Sequence, residues 1–157
     1  MVSVADESAV AEFAGQLFFR LWRGTHTRTA DALGTIGLTP ALFALLNVIA
    51  AREGATQQEL GALLGIDRST MVSLLDRLED TGLARRQPSP TDRRAKQISN
   101  TPKGRRLLQR ARALISEVED EVLAGLTATQ RRELMTLLRR ALEAAPPQPP
   151  WSAAEGD

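Results

Sequence analysis

The residues best suited to chemistry in this chain are arginines and small hydroxyl side chains. Residues 83 to 112 hold ten of the twenty Lys and Arg and a single acid, Asp92, a local charge of +9 in a chain whose total is +1. A run of charge is often no more than a solvated face, but this density of permanent cations is also the footprint of a phosphate-backbone binder. Within it, PSPTDRR places Arg93 and Arg94 in a Pro-rich turn. Asp92 is close enough to pair with Arg94 and fix its direction. A guanidinium there suits a narrow, electronegative minor groove, because its charge is permanent and it sheds water readily. Arg85 and Arg86 precede the turn, one of them a candidate phosphate clamp, and Lys96 follows it; Arg86 and Lys96 are counted with the DNA-binding candidates.

A second set lies upstream, in GIDRSTMVSLLDRLED. On a wheel at about 100° per residue, Met71, Leu74, Leu75 and Leu78 share one side, while Ser69, Thr70, Ser73, Asp76 and Arg77 share the other. The polar strip is narrow enough to approach base edges, and Arg68 and Arg77 flank it. Its acids, Asp76, Glu79 and Asp80, occupy the C-terminal half. The N-terminal end, where the helix dipole is positive, is therefore the end that suits phosphate.

Composition removes other chemistries. The chain has no cysteine and one histidine, His26. Disulfides, thiol redox sensing and thiolate metal sites are excluded, and a zinc site built by this chain is disfavoured. No phosphate-cradling glycine loop, nucleophile elbow or paired-carboxylate site is present, so neither an enzyme nor a cofactor is expected. The start, MVSVADESAV, lacks a signal-peptide pattern, and the longest apolar run, ALFALLNVIA, is broken by Asn47 and too short to span a bilayer. A soluble, cytoplasmic protein with no membrane partner is the expectation.

The elements that must position these residues follow from spacing and caps. The 157 residues, 43% hydrophobic, fit one compact domain or a small domain with elements that a partner covers. Residues 6 to 33 read as one long helix of roughly 40 Å, with Phe13, Leu17 and Leu21 at helical spacing and Phe18 and Trp22 beside them. Its apolar surface is wider than one stripe, which points to packing on both its own domain and a second subunit. Thr39-Pro40 starts a helix bearing Leu42, Leu45, Leu46 and Ile49. Thr56-Gln57-Gln58-Glu59 is a capping box opening a short helix that ends at Gly65, and Asp67 caps the next, which runs to about Thr81 before Gly82. These two form a helix-turn-helix. Leu83 to Gln87 and Lys96 to Asn100 read as strands of a hairpin, a wing directly after the recognition helix. Thr101-Pro102 begins another helix, with Leu108, Ala111, Ile115, Val118 and Val122 forming a coiled-coil-like seam. Thr127 caps a last helix with Leu134, Leu138 and Leu142, and the Pro-rich tail is expected to be disordered.

The block TQQELGALLGIDRSTMVSLLDRLEDTGLARRQPSPTDRRAKQISNTPKGRRLL resembles the winged-helix core of the multiple antibiotic resistance regulator (MarR) family, and the helix order matches over about residues 6 to 143. Most specific are Asp92-Arg93-Arg94 followed by Lys96, Ile98, Thr101 and Gly104, and the run Leu75-Asp76-Arg77-Leu78-Glu79 before Gly82-Leu83. The resemblance implies a mainly α fold: an N-terminal dimerisation helix (6–34), a winged helix-turn-helix lobe (35–101), C-terminal dimerisation helices (102–143) and a tail (144–157). It implies a homodimer whose terminal helices interlock, with Phe13, Leu17, Leu108, Ala111, Ile115, Val118, Leu134 and Leu138 at the interface. It implies double-stranded DNA with a palindromic operator as partner, Arg94 reaching the minor groove, and a small-molecule effector. The effector pocket would lie between the first helix and the DNA-binding lobe, near Phe18, Trp22, His26 and Phe43. One position departs from the family pattern: Asn100 stands where an apolar residue is usual. A ligand-responsive repressor is the reading that results; a winged-helix protein-interaction module and a sequence-neutral DNA-binding protein are the alternatives.

Overall fold

The structure, a computed structural model, describes residues 13–88 and 96–145. The expected wing tip, Asp92, Arg93 and Arg94, lies outside the described residues, as do the start of the first helix and the tail beyond 145. Six helices and two strands are described, in the order α1 (Ala14–Gly34), α2 (Pro40–Ala51), α3 (Gln57–Leu64), α4 (Arg68–Asp80), β1 (Ala84–Pro88), β2 (Lys96–Asn100), α5 (Pro102–Val122) and α6 (Ala128–Ala144).

Five of the helices start where a short polar side chain can satisfy the open backbone donors of the first turn. Thr39, Thr56, Asp67, Thr101 and Thr127 each accept a backbone N–H from two or three residues ahead. Thr56 with Glu59 and Thr127 with Gln130 complete reciprocal capping boxes. Between α3 and α4, Gly65 takes a left-handed φ of 62°, which reverses the chain within the helix-turn-helix.

One core is shared by α1 to α5 and the hairpin. Leu33 at the end of α1, Leu42, Leu45, Leu46 and Ile49 of α2, Leu60 of α3, Met71, Leu75 and Leu78 of α4, Ile98 of β2, and Leu108 and Ala111 of α5 form a single buried cluster. The end of α1, the helix-turn-helix with its hairpin, and the first half of α5 thus meet in one apolar interior, while α6 contributes no buried residue. α1 packs along α5.

β1 and β2 pair antiparallel with Arg86 opposite Ile98 and Arg85 opposite Ser99. The hairpin is tied to the body on a further edge: Ile98 donates its N–H to Ala55 O at 3.0 Å, and Gly54 donates to Ile98 O at 3.1 Å. At its foot, Thr101 donates its N–H to Leu83 O at 3.0 Å and its hydroxyl to Gly82 O at 2.7 Å, and Lys103 Nζ donates to Thr81 O at 2.8 Å.

The seam on α5 is filled from within the chain. Leu108 and Ala111, expected between subunits, belong to this chain's own core at 3% and 0% exposure, and Ile115 packs against that core. Val118 is likewise buried without any partner chain. A three-and-four spacing marks a helix-packing seam but does not say whose helix fills it. Here the filler of Leu108, Ala111 and Val118 is this chain's own. Large apolar groups stand exposed elsewhere: Phe13, Leu17, Phe18, Phe19, Leu21 and Trp22 on α1, and Met135, Leu137 and Leu142 on α6. Leu134 and Leu138 are half-buried.

Candidate nucleic-acid interface

α4 has the two faces its sequence dictates. Met71, Leu75 and Leu78 are buried, and Arg68, Ser69, Ser73, Asp76 and Arg77 are exposed, with Thr70 half-buried at the edge of the strip. The polar strip is thus held outward by the helix's own apolar anchor. β1 packs against the same helix, so the strip and the hairpin adjoin. A cleft of ≈ 270 Å³ lies at their junction, lined by Gln57, Val72, Asp76, Arg86, Lys96 and Ile98.

At the N-terminal end, Asp67 is the centre of a closed network. Its Oδ1 accepts the N–H of Ser69 at 2.8 Å, the N–H of Thr70 at 2.9 Å and the Ser69 hydroxyl at 2.6 Å, while Oδ2 accepts the Thr70 hydroxyl at 2.5 Å. The hydroxyls of Ser69 and Thr70, followed by the Thr70 N–H, hold the Asp67 carboxyl well below the usual carboxylate range. The two hydroxyl protons are therefore committed to the cap. What Ser69 and Thr70 present outward is lone pairs, able to accept from an amino group on a base edge.

Arg86 occupies a different place from the one its charge suggested. It lies on the inward-facing side of β1 with buried Ala84, opposite buried Ile98, while Arg85 between them is exposed and donates its Nε to Ser99 Oγ at 3.2 Å. Its Nη1 donates to Asp76 Oδ1 at 2.7 Å and also to Glu79 Oε2, and its backbone N–H donates to Glu79 Oε1 at 2.8 Å. Burial opposes the charge of this guanidinium, and the carboxylates of Asp76 and Glu79 outweigh that effect. Arg86, expected as a phosphate clamp, has its Nη1 turned onto two acids of α4. Lys96 remains exposed at the start of β2.

The expected effector residues divide between two helices. Trp22 and His26, one turn apart on α1, stack with ring centroids 4.9 Å apart, and Phe19 sits 6.2 Å from Trp22. Phe18 and Trp22 are more than half exposed. Phe43 lies on α2 against the core, and among the described residues no ring contact joins it to the other three. Among the described residues, no group of three or more His, Cys, Asp or Glu side chains could hold a metal ion, and no helix is long and apolar enough to cross a membrane.

Asn100 shows what its departure from the apolar pattern does. It is 4% exposed; its Nδ2 donates to Leu46 O on α2 at 2.8 Å, and among the described residues its Oδ1 has no partner. The end of the wing is thereby tied to the middle of α2 by one hydrogen bond.

Comparison with known proteins agrees with this geometry. The MarR family profile matches residues 36–95. A Mycobacterium tuberculosis protein named as an HTH-type transcriptional repressor is 31% identical over 139 residues, covering 88% of this chain and 97% of that protein. A transcriptional regulatory protein of Thauera aromatica is 36% identical over 131 residues, covering 81% and 79%. Among solved structures, the transcriptional repressor CouR bound to a 23-mer DNA duplex superposes with a TM-score of 0.77 at 31% identity, over 90% of this chain and 99% of that one. MarR from E. coli complexed with operator DNA superposes at 0.71 and 25% identity, over 90% and 99%. With a winged helix-turn-helix whose recognition helix and hairpin adjoin on one surface, and with relatives of this identity over most of its length, the chain belongs to the MarR family of DNA-binding transcriptional regulators.

Proposed function

We propose that this protein is a cytoplasmic, homodimeric, small-molecule-responsive repressor of transcription. The observation that carries the reading is the exposed polar strip of α4 beside the basic hairpin. Each subunit inserts the N-terminal half of α4 into the major groove, with Arg68, Ser69, Thr70, Ser73 and Arg77 facing DNA, and the wing arginines Arg93 and Arg94 enter the flanking minor groove. Two such units read half-sites about one helical turn apart, roughly 10 bp between centres. The exposed apolar side chains of α1 and α6 are what a second copy covers, and the relatives solved with operator DNA and with a 23-mer duplex support a double-stranded DNA partner, which a two-fold dimer reads as a palindrome.

Ligand response is supported by the Mycobacterium tuberculosis relative solved with p-aminosalicylic acid, at 29% identity over 82% of this chain and 98% of that one with a TM-score of 0.69. A ligand acts here by favouring a spacing of the two lobes that no longer fits the operator, without touching the DNA surface. The test is a fluorescence-anisotropy titration with a duplex from the gene's own upstream region against a scrambled duplex, across a salt series. Preference for the upstream duplex by about 10³-fold or more supports the reading. Equal, weak binding to both overturns it in favour of sequence-neutral binding.

A further inference from the structure

Ten cationic side chains lie between 83 and 112, and the one on β1 nearest the recognition helix faces away from solvent. The side chain of Arg86 is 18% exposed, against 54% for Asp76 and 31% for Glu79. It bridges two acids one helical turn apart on α4, and its backbone N–H binds the second of them. Among the described residues this is the only ion-pair cluster that joins the hairpin to α4. The two carboxylates offset the charge this guanidinium could offer a phosphate, and pulling it free would leave both acids unpaired next to polyanionic DNA. The same arrangement gives the acidic C-terminal half of α4 a purpose. Asp76 and Glu79 do not face the phosphates bare; they hold the wing.

We infer that Arg86 is a positioning residue that locks the wing at a fixed angle to the recognition helix, so that it contributes to operator binding through Arg94 and not through a phosphate of its own. The inference rests on the proposed role of the wing in DNA binding. Its chemistry is that of preorganisation: the hairpin reaches the flanking groove already aimed, so less conformational freedom is lost on binding. The foot of the wing is fixed by Thr101 and Lys103, its far edge by Ala55 and Gly54, and the root of β1 by Leu83, which donates its N–H to Leu78 O of α4 at 2.7 Å; Arg86 adds a side-chain tie to α4 further along β1.

The deciding experiment is a double-mutant cycle on the full-length dimer, read as affinity for the upstream duplex. R94A and R86A are each expected to weaken binding about tenfold, with the double variant no weaker than R94A alone, because a residue acting through Arg94 has nothing left to aim. Losses that multiply in the double variant would show an independent contact and overturn the positioning role. An unchanged affinity for R94A would overturn the wing's own part in binding, which is a different failure. A second readout needs no DNA: hydrogen exchange of the hairpin amides, 84 to 87 and 96 to 100, is expected to accelerate in R86A while the α1 and α5 cores stay protected. Unaltered hairpin exchange would overturn the lock. Should R86A fold poorly, R86Q keeps most of the side chain's bulk while removing its charge, and the same two readouts apply.

Discussion

The α-carbon of Gly104, on the first turn of α5, lies so close to Leu83 that a Cβ built on it would sit 2.0 Å from the Leu83 carbonyl oxygen. That oxygen already accepts from Thr101, so it is held in place on the other side as well. The close approach seats α5 on the strand that begins the wing. Gly104→Ala is therefore expected to destabilise the protein by about 1–3 kcal/mol or more, as overpacking against backbone does. Urea melts followed by circular dichroism check this. Gly125→Ala, where a Cβ meets nothing within 4 Å, is the control expected to show little change.

Asn100 and Leu46 give the opposite sign. Burying the Asn100 amide leaves Oδ1 without a partner among the described residues while Nδ2 gains one bond to Leu46 O. An orphaned buried acceptor costs about 1–3 kcal/mol, and a single neutral hydrogen bond contributes about 1 kcal/mol. Asn100→Val, which suits a strand end, is expected to raise stability by about 1 kcal/mol in the same melts. A loss of stability would mean that the tie to α2 outweighs the orphaned oxygen.

What was legible in the sequence is the part that physics confines to a few residues. A cap bond spans three positions, so Thr39, Thr56, Asp67, Thr101 and Thr127 could be read without knowing the fold. The two faces of α4 followed from helical period alone. The inward place of Arg86 is masked by the basic composition around it, although Ala84 and Arg86 alternate with Arg85, so one arginine had to face inward. Its acid partners lie 7 and 10 residues upstream on another element, a pairing that no local pattern displays. The edge formed by Gly54 and Ala55 against Ile98 is made of backbone bonds, which leave no trace in side-chain type.

The two apolar surfaces of the terminal helices are expected to behave differently under mutation. Leu108 is enclosed by its own chain, so Leu108→Ala should cost about 2–5 kcal/mol of stability. Leu137 on α6 is 53% exposed in the single chain. Leu137→Glu should leave secondary structure intact while shifting sedimentation from dimer toward monomer and weakening binding to the upstream duplex, since one lobe alone reads only one half-site. A stable dimer in Leu137→Glu would place the subunit interface elsewhere on α1 and α6.

Asp67 sets a pH dependence at the DNA-facing end of α4. The Ser69 and Thr70 hydroxyls and the Thr70 N–H bind its ionised form, and its folded-state value is held well below that of the unfolded chain, about 3.9. A carboxyl lowered in this way contributes stability that is fully present above the unfolded value and is lost as pH falls through the folded one. Asp67→Asn keeps a capping oxygen but cannot ionise, so its melting midpoint should fall below that of the wild type by a constant amount from pH 7 down to about 5. Below about pH 4 the gap should narrow, because the wild-type advantage comes from the charge alone. A gap that stays constant into the acid range would show that the Asp67 cap works by hydrogen-bond geometry and owes nothing to ionisation.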